Sequence, residues 1–105
     1  HTNLKSLSLY DTKISDKGLS HLAALKKIEY LYLYNTQVTD AGLKHLSGLK
    51  RLRRLELSRT GITDAGLTQL KQLTSLKALR LNGTQVTATG VTELRKSLRR
   101  TKITY

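Results

Sequence analysis

The sequence predicts an α/β solenoid, in which one strand-and-helix unit recurs along the chain and its copies stack side by side. Two observations support this fold class. Four segments align at a fixed step of 24 residues, and each begins with the pattern apolar-x-x-Leu-x-Leu. A single unit of this kind cannot bury its apolar side, whereas stacked units share a continuous core. The 105 residues are enough for one such domain.

We assign residues 1–105 to a single domain made of four repeats and a closing segment. The repeats cover residues 4–27, 28–51, 52–75 and 76–98, and the segment 99–105 follows. This last segment is polar except for Ile103 and Tyr105, so we expect it to close the C-terminal end of the stack. Leu4 begins a full repeat after only three residues. We therefore expect further repeats or a partner to cover the N-terminal end.

The head of each repeat predicts a β-strand, because leucines alternate with other side chains and strand residues point to opposite faces in turn. The predicted strands are Ser6–Leu9, Tyr30–Leu33, Arg54–Leu57 and Ala78–Leu81. In the middle of the stack, we expect Leu31, Leu33, Leu55 and Leu57 to be fully buried.

A turn and a short helix follow each predicted strand. A Thr recurs in the turn, where its hydroxyl would satisfy backbone groups; these residues are Thr12, Thr36, Thr60 and Thr84. In the second repeat, Thr39 is a good helix N-cap and the charge of Asp40 suits the helix dipole. Leu43, Leu46 and Leu49 form one apolar stripe. The helices are expected to begin at about Asp16, Asp40, Asp64 and Ala88.

A glycine recurs early in each predicted helix. The aligned residues are Gly18, Gly42, Gly66 and Gly90. Glycine disfavours a helix by about 1 kcal/mol relative to alanine. We therefore expect a close approach between the helix and its neighbour, or between the helix and the turn, to require it.

Two segments make the resemblance to a known family specific. Residues 38–43 read Val-Thr-Asp-Ala-Gly-Leu and residues 62–67 read Ile-Thr-Asp-Ala-Gly-Leu. From Leu4 to about Leu98 the chain resembles the 24-residue T-D-x-G-L leucine-rich repeats of bacterial proteins, which are related to the cysteine-containing repeats of F-box adaptors. The resemblance implies a right-handed horseshoe with parallel strands on the concave side, helices on the convex side, and protein binding. The chain has neither the cysteines nor an F-box, which argues against an adaptor role.

The concave face of such a horseshoe would carry an unusual set of tyrosines. Three positions in each repeat are predicted to point outward, and four of the five tyrosines occupy them. Tyr and Arg are enriched in interface hot spots, and the candidate binding residues are Tyr10, Tyr30, Tyr32, Tyr34, Arg54 and Arg80. We expect the tyrosine rings to be substantially exposed. The alternative is that these aromatic residues only favour strand formation.

The charge pattern predicts one basic edge of the solenoid. The chain carries 19 basic and 7 acidic residues, for a formal charge of +12. Helix ends and strand starts share one rim, and its basic residues are Lys26, Lys27, Lys50, Arg51, Arg53, Lys77, Arg99 and Arg100. Dipole complementation and solubility explain part of this pattern. The remainder suggests an acidic partner, or loose binding of nucleic acid or anionic surfaces.

Nothing in the sequence indicates catalysis, so we expect neither an enzyme nor a cofactor. The chain has no Cys, and its histidines are His1, His21 and His45. His21 and His45 occupy the same place in successive helices, but two exposed ligands bind metal weakly, so no metal site is predicted. No apolar run approaches the roughly 20 residues of a membrane-spanning helix.

We therefore predict a non-catalytic module that binds a protein, which would be acidic if the basic rim contributes, through its Tyr- and Arg-rich concave face. Two alternatives remain. One is a structural spacer or capping segment of a larger repeat protein, and the other is a basic surface that binds nucleic acid or an acidic polymer. No nucleic-acid-binding motif is present, so nucleic acid is not the expected partner. Binding of a polyanion would weaken steeply with salt, which distinguishes the last alternative.

Overall fold

The computed structural model describes residues 3–105, which form a five-stranded parallel sheet with a row of short helices. The strands are β1 (Ser6–Ser8), β2 (Tyr30–Tyr32), β3 (Arg54–Glu56), β4 (Ala78–Arg80) and β5 (Lys102–Thr104). They lie side by side in chain order, and every neighbouring pair is parallel. The four predicted strands and the α/β solenoid are confirmed.

The fifth strand was not predicted. Residues 99–105 do not merely cover the end of the stack, because Lys102–Thr104 pairs with β4 and places Ile103 in register with Leu79. Only Ile103 fits the strand pattern here, since Arg100 and Tyr105 stand where the earlier repeats have apolar residues. Ile103 is nevertheless buried, while Tyr105 is 49% exposed.

The helices begin at the four predicted residues, but part or all of the helix in each of the first three repeats is 3₁₀. They are α1 (Asp16–Ser20) with a 3₁₀ turn at His21–Ala24, α2 (Asp40–Leu43) with a 3₁₀ turn at Lys44–Leu46, a 3₁₀ helix at Asp64–Leu70, and α3 (Ala88–Arg95). The apolar spacing explains the difference. In the third repeat Leu67, Leu70 and Leu73 recur every three residues, which matches the 3.0 residues per turn of a 3₁₀ helix. The helix of the fourth repeat reaches its last core residue, Leu98, one position later and is α-helical.

The core lies between the sheet and the helices. Leu31, Leu33 and Leu57 are fully buried and Leu55 is 1% exposed, as predicted. In the first repeat Leu19 and Leu22 are buried, but the other leucines and the isoleucine are only partly buried; these are Leu4, Leu7, Leu9, Ile14 and Leu25. Packing is therefore densest in the second to fourth repeats.

The recurring turn threonines hold the turn, as predicted. In each repeat the Thr hydroxyl donates to the carbonyl three residues earlier, over 2.6–2.8 Å. The donors are Thr12, Thr36, Thr60 and Thr84. Thr36 and Thr60 are buried, so these hydrogen bonds satisfy groups that water does not reach.

Aspartates link each repeat to the next one, a role that the dipole argument did not predict. The backbone N–H of Thr63 donates to Asp40 Oδ1 over 2.8 Å, and the Thr63 hydroxyl donates to Oδ2 of the same carboxylate. The pairs Asp16–Thr39 and Asp64–Thr87 repeat this arrangement. The Thr87 hydroxyl and backbone lower the pKa of Asp64. We call these three pairs the Asp–Thr ladder.

The predicted N-cap position of Thr39 is confirmed, but the capping hydrogen bond expected of its side chain is not formed. The Thr39 side chain donates to Asp16 instead. Thr63 and Thr87 donate to the aspartate of the preceding repeat and also cap their own helix. Each hydroxyl accepts a hydrogen bond from a backbone N–H at the start of that helix.

The ladder explains the helical glycines. A Cβ on Gly66 would lie far inside van der Waals contact with Asp40 Oδ1, and the same holds for Gly42 with Asp16 and Gly90 with Asp64. The predicted close approach to a neighbouring repeat is confirmed for these three positions. In the first repeat a Cβ on Gly18 would instead meet Ile14 Cγ1 at 2.6 Å.

One turn position in each repeat adopts a left-handed backbone. It is occupied by Asp11, Asn35, Arg59 and Gly83, with φ between 55° and 72°. Asn, Asp and Gly tolerate this region, whereas a residue without a local hydrogen-bonding side chain loses roughly 1–2 kcal/mol there. Arg59 is therefore the strained member of the set.

We expect Arg59→Asn to raise the free energy of unfolding by about 0.5–1 kcal/mol, because asparagine relieves much of this strain. Urea denaturation measures the change. Arg99→Asn serves as the control, since Arg99 is exposed and has no positive φ. A lower stability for Arg59→Asn would show that the strain is smaller than the contacts of the arginine side chain.

Candidate protein-binding face

The outward side chains of the strands form two rows across the sheet. Strand pairing places Tyr30 beside Arg54, and Tyr32 beside Glu56. The first row continues through Ala78 to Lys102, and the second through Arg80 to Thr104. The parts of both rows on β2 to β4 follow from the sequence, because alternate residues of a strand point to the same face.

The third predicted row lies beyond the strands, in the turns. Tyr10 and Tyr34 remain lateral neighbours there, because the N–H of the residue after Tyr10 donates to Tyr34 O over 2.9 Å. Ser58 occupies the corresponding position of the third repeat, one of the three predicted to point outward, but it is only 4% exposed. Its N–H donates to Glu56 Oε1 over 2.9 Å, and its hydroxyl accepts from Asn82 N over 3.1 Å, so Ser58 is part of the turn scaffold.

The predicted exposure holds for only one of the four tyrosines. Tyr10 is 57% exposed, whereas Tyr30, Tyr32 and Tyr34 are partly buried. Outward side chains of adjacent strands are only about 4.8 Å apart, so they cover one another even without a layer above them. Arg59 Nη1 also donates to the Tyr34 hydroxyl over 3.2 Å.

Two adjoining clefts run across the sheet face. The first, of about 410 Å³, lies between Tyr32, Arg54, Arg80 and Lys102. The second, of about 330 Å³, is lined by residues that include Tyr34, Arg59 and Asn82. Glu56 and Arg80 line both clefts, and Arg80 Nε lies 3.2 Å from Glu56 Oε2.

The electrostatics of these clefts are positive. Arg54, Arg80 and Lys102 line the first cleft, which has Glu56 as its carboxylate. The Glu56 side chain is 19% exposed and that of Arg80 is 61% exposed, so the arginine remains open to a ligand while it is paired. The first cleft therefore combines an aromatic ring, the small apolar side chain of Ala78 and an excess of cationic groups.

The predicted site residues divide between the two clefts. Tyr32, Arg54 and Arg80 meet in the first, and Tyr34 and Arg80 in the second. Tyr30 lies beside Arg54 without lining either cleft, and Tyr10 lies outside both.

Two cationic residues that line the clefts, Lys102 and Arg59, were not predicted. Lys102 lies on the unpredicted strand β5, and Arg59 lies in a turn that the strand pattern does not cover. Extending the 24-residue step to a fifth copy would have placed Lys102 in the row of Tyr30 and Arg54.

All eight residues of the predicted basic rim are exposed. Arg51, Arg53 and Lys77 line a shallow depression of about 620 Å³, together with Glu29. Arg99 and Arg100 line a neighbouring depression of about 290 Å³. The remaining rim residues, Lys26, Lys27 and Lys50, are exposed at the corresponding repeat positions. Among residues 3–105, none of these eight cations lies within 4 Å of a carboxylate oxygen.

The two histidines of the described residues, His21 and His45, are not grouped with other metal-ligating side chains. His21 is exposed and His45 is partly buried, while His1 lies outside the described residues. Within the described range, no three His, Cys, Asp or Glu side chains are grouped as metal ligands would be. The helices of that same range are all too short and too polar to span a membrane.

The sequence matches the family model described as "Leucine Rich repeat" at residues 1–23, 50–70 and 72–94, which is more than half of the chain. The chain belongs to the leucine-rich-repeat family. Proteins of this family are typically non-enzymatic binding proteins. No curated protein matches the chain.

Several solved structures are similar to this chain. Internalin C2 of Listeria monocytogenes has a TM-score of 0.83 and 28% identity, over 99% of this chain and 42% of that protein. A leucine-rich-repeat protein of Leptospira interrogans has a TM-score of 0.78 and 27% identity, over 97% and 25%. Actin-binding site 2 of leiomodin-1 shares the fold, with a TM-score of 0.75 at 22% identity, over 96% of this chain and 69% of that one. The chain thus spans less than half the length of the two bacterial proteins.

Proposed function

We propose that this leucine-rich-repeat domain is a non-catalytic module that binds an acidic protein segment on its sheet face. The observation that carries the proposal is the pair of adjoining clefts, since Tyr32 lines one of them with Arg54 and Arg80, and Tyr34 lines the other with Arg80. Tyrosine and arginine supply a large share of binding energy at protein interfaces. Buried tyrosine also removes apolar area from water while its hydroxyl keeps a hydrogen bond.

The dimensions and charge of the clefts support an extended acidic segment as the ligand. The two clefts share Glu56 and Arg80, so a single chain crossing the strands would contact both. Three cationic side chains against one carboxylate in the first cleft favour a ligand with negative charge. An arginine fork forms bidentate hydrogen bonds with a carboxylate, which adds orientation to attraction.

We also propose that the domain is of the bacterial T-D-x-G-L type. The similarity to the Listeria and Leptospira proteins supports this assignment. The Asp and Gly of that motif form the contact between repeats described above, so the motif has a structural reason.

We expect Tyr32→Ala to weaken peptide binding by about 2 kcal/mol or more, which is roughly 30-fold. The ligand would come from a random dodecapeptide library selected on the immobilised domain, and affinity would be measured by calorimetry. Tyr105→Ala is the matched control, since Tyr105 is exposed and lines neither cleft. We expect acidic residues to be enriched among the selected peptides.

A second set of variants distinguishes the contribution of charged side chains to peptide binding from that of the tyrosine rings. Arg54→Ala should weaken the same peptides, whereas Lys26→Glu with Lys50→Glu, on the rim, should mainly slow association. If the Tyr32, Tyr34 and Arg54 variants all bind as the unmodified domain does, the sheet face is not the binding site. If no peptide is selected at all, the spacer alternative gains support.

A further inference from the structure

The basic rim carries two adjoining depressions that the proposed function does not use. Arg51, Arg53 and Lys77 line the larger one, and Arg99 and Arg100 line the smaller one. Thr74 lines both, so the two depressions form one continuous surface. We propose that this surface binds a sulfated polysaccharide, independently of the clefts on the sheet face.

The arrangement of the cations distinguishes this surface from an ordinary solvated edge. Five cationic side chains border the two depressions, and the carboxylate that borders them is that of Glu29. Within residues 3–105 these cations have no carboxylate within salt-bridge distance. Unpaired cations that line one surface raise the local potential and attract a polyanion.

Alternating groups along the rim indicate the chemical class of the ligand. Arg51, Ser75 and Arg99 occupy the same repeat position on successive units, so the two arginines are about 10 Å apart, with a hydroxyl between them. Arginine forks bind tetrahedral oxyanions such as sulfate bidentately. The hydroxyls of Ser75 and Thr74 and the carboxylate of Glu29 suit neutral hydroxyl groups of a sugar.

Other polyanions fit this surface less well. Single-stranded nucleic acid is usually held by aromatic side chains that stack on its bases, and no tyrosine lines either depression. An inorganic polyphosphate is negatively charged along its whole length, so the Glu29 carboxylate would repel it. It also has no hydroxyl group that could donate a hydrogen bond to that carboxylate. An acidic protein would need an apolar centre, whereas the larger depression is lined by charged and hydroxyl side chains alone.

The test is calorimetric titration of the domain with a heparin-derived octasaccharide at several salt concentrations. The variant Arg51→Gln/Arg53→Gln/Lys77→Gln should bind roughly tenfold or more weakly, with a shallower salt dependence, because three exposed ionic contacts are lost. The control Lys13→Gln/Lys17→Gln/Lys44→Gln removes the same charge from exposed residues that line neither depression, and it should lose less than about threefold. Thermal melts of both variants check that they are folded.

Two further arms separate this inference from the proposed function. Tyr32→Ala should leave octasaccharide binding unchanged, and Arg51→Lys/Arg53→Lys should weaken it although the charge is kept. Equal losses in the rim variant and the control variant would overturn the inference, because net charge alone would then explain binding. It would also be overturned if a dT octamer, a polyglutamate or a polyphosphate of similar charge bound more tightly than the octasaccharide.

Discussion

Replacing Leu55 by alanine is expected to lower the free energy of unfolding by about 2–5 kcal/mol. Leu55 is 1% exposed and lies in the middle strand, between Leu31 and Leu79 in register. The substitution removes buried apolar atoms and leaves a cavity that the neighbouring repeats on both sides would have to collapse to fill. Since domains of ordinary size are stable by about 5–15 kcal/mol, this loss is a large part of the total.

Leu7→Ala is the matched control for this prediction. Leu7 occupies the same repeat position on β1, but it is only partly buried. Leu7→Ala should lower the free energy of unfolding by less than about 2 kcal/mol, because water already reaches part of the Leu7 side chain. Urea denaturation of both variants gives the comparison. A loss below about 1 kcal/mol for Leu55→Ala would mean that the register of the stack is wrong.

Gly66→Ala is expected to lower the free energy of unfolding by about 2–3 kcal/mol, near the upper end of the range for overpacked sites. The added Cβ would collide with the Asp40 carboxylate. That carboxylate can move away only by giving up its hydrogen bonds to Thr63, which are charge-assisted and partly buried. The substitution therefore weakens the contact between the second and third repeats.

Gly48→Ala provides the control, since a Cβ there would meet only the flexible end of Lys26, at 3.1 Å. Its effect should stay within about 0.5 kcal/mol. A double-mutant cycle tests the mechanism. Removing the carboxylate with Asp40→Ala should cost much less in the Gly66→Ala background than alone, a coupling of about 1–2 kcal/mol. Additive losses would show that the glycine is required for another reason.

Much of the fold could be predicted because the same sequence pattern occurs in four repeats, so each feature is seen four times. Period-2 alternation identified β1 to β4, and the positions of Asp16, Asp40 and Asp64 marked the helix starts. The helix type was missed, because the three-residue leucine spacing was interpreted only as an apolar stripe. Strand β5 was missed because Ile103 alone carries the pattern.

The candidate site could be predicted less completely. Alternation placed Tyr30, Tyr32 and Arg54 on one face, since that requires only the geometry of a single strand. Exposure depends on lateral neighbours, and those are long side chains whose paths the sequence does not determine. The ladder role of Asp40 was missed for a similar reason, because its partner Thr63 lies 23 residues away in another repeat.

The Asp–Thr ladder gives the chain a direction. Each of the first three repeats supplies a carboxylate to the following one, and each of the second to fourth repeats receives it beside a glycine. The second and third repeats each receive one carboxylate and supply another. A 24-residue copy inserted between them would therefore find a matching Asp–Thr contact on either side. The fourth repeat receives a carboxylate but supplies none, because Ala88 stands in the place of the aspartate. The Asp–Thr ladder therefore ends at the fourth repeat, and the sequence shows this directly.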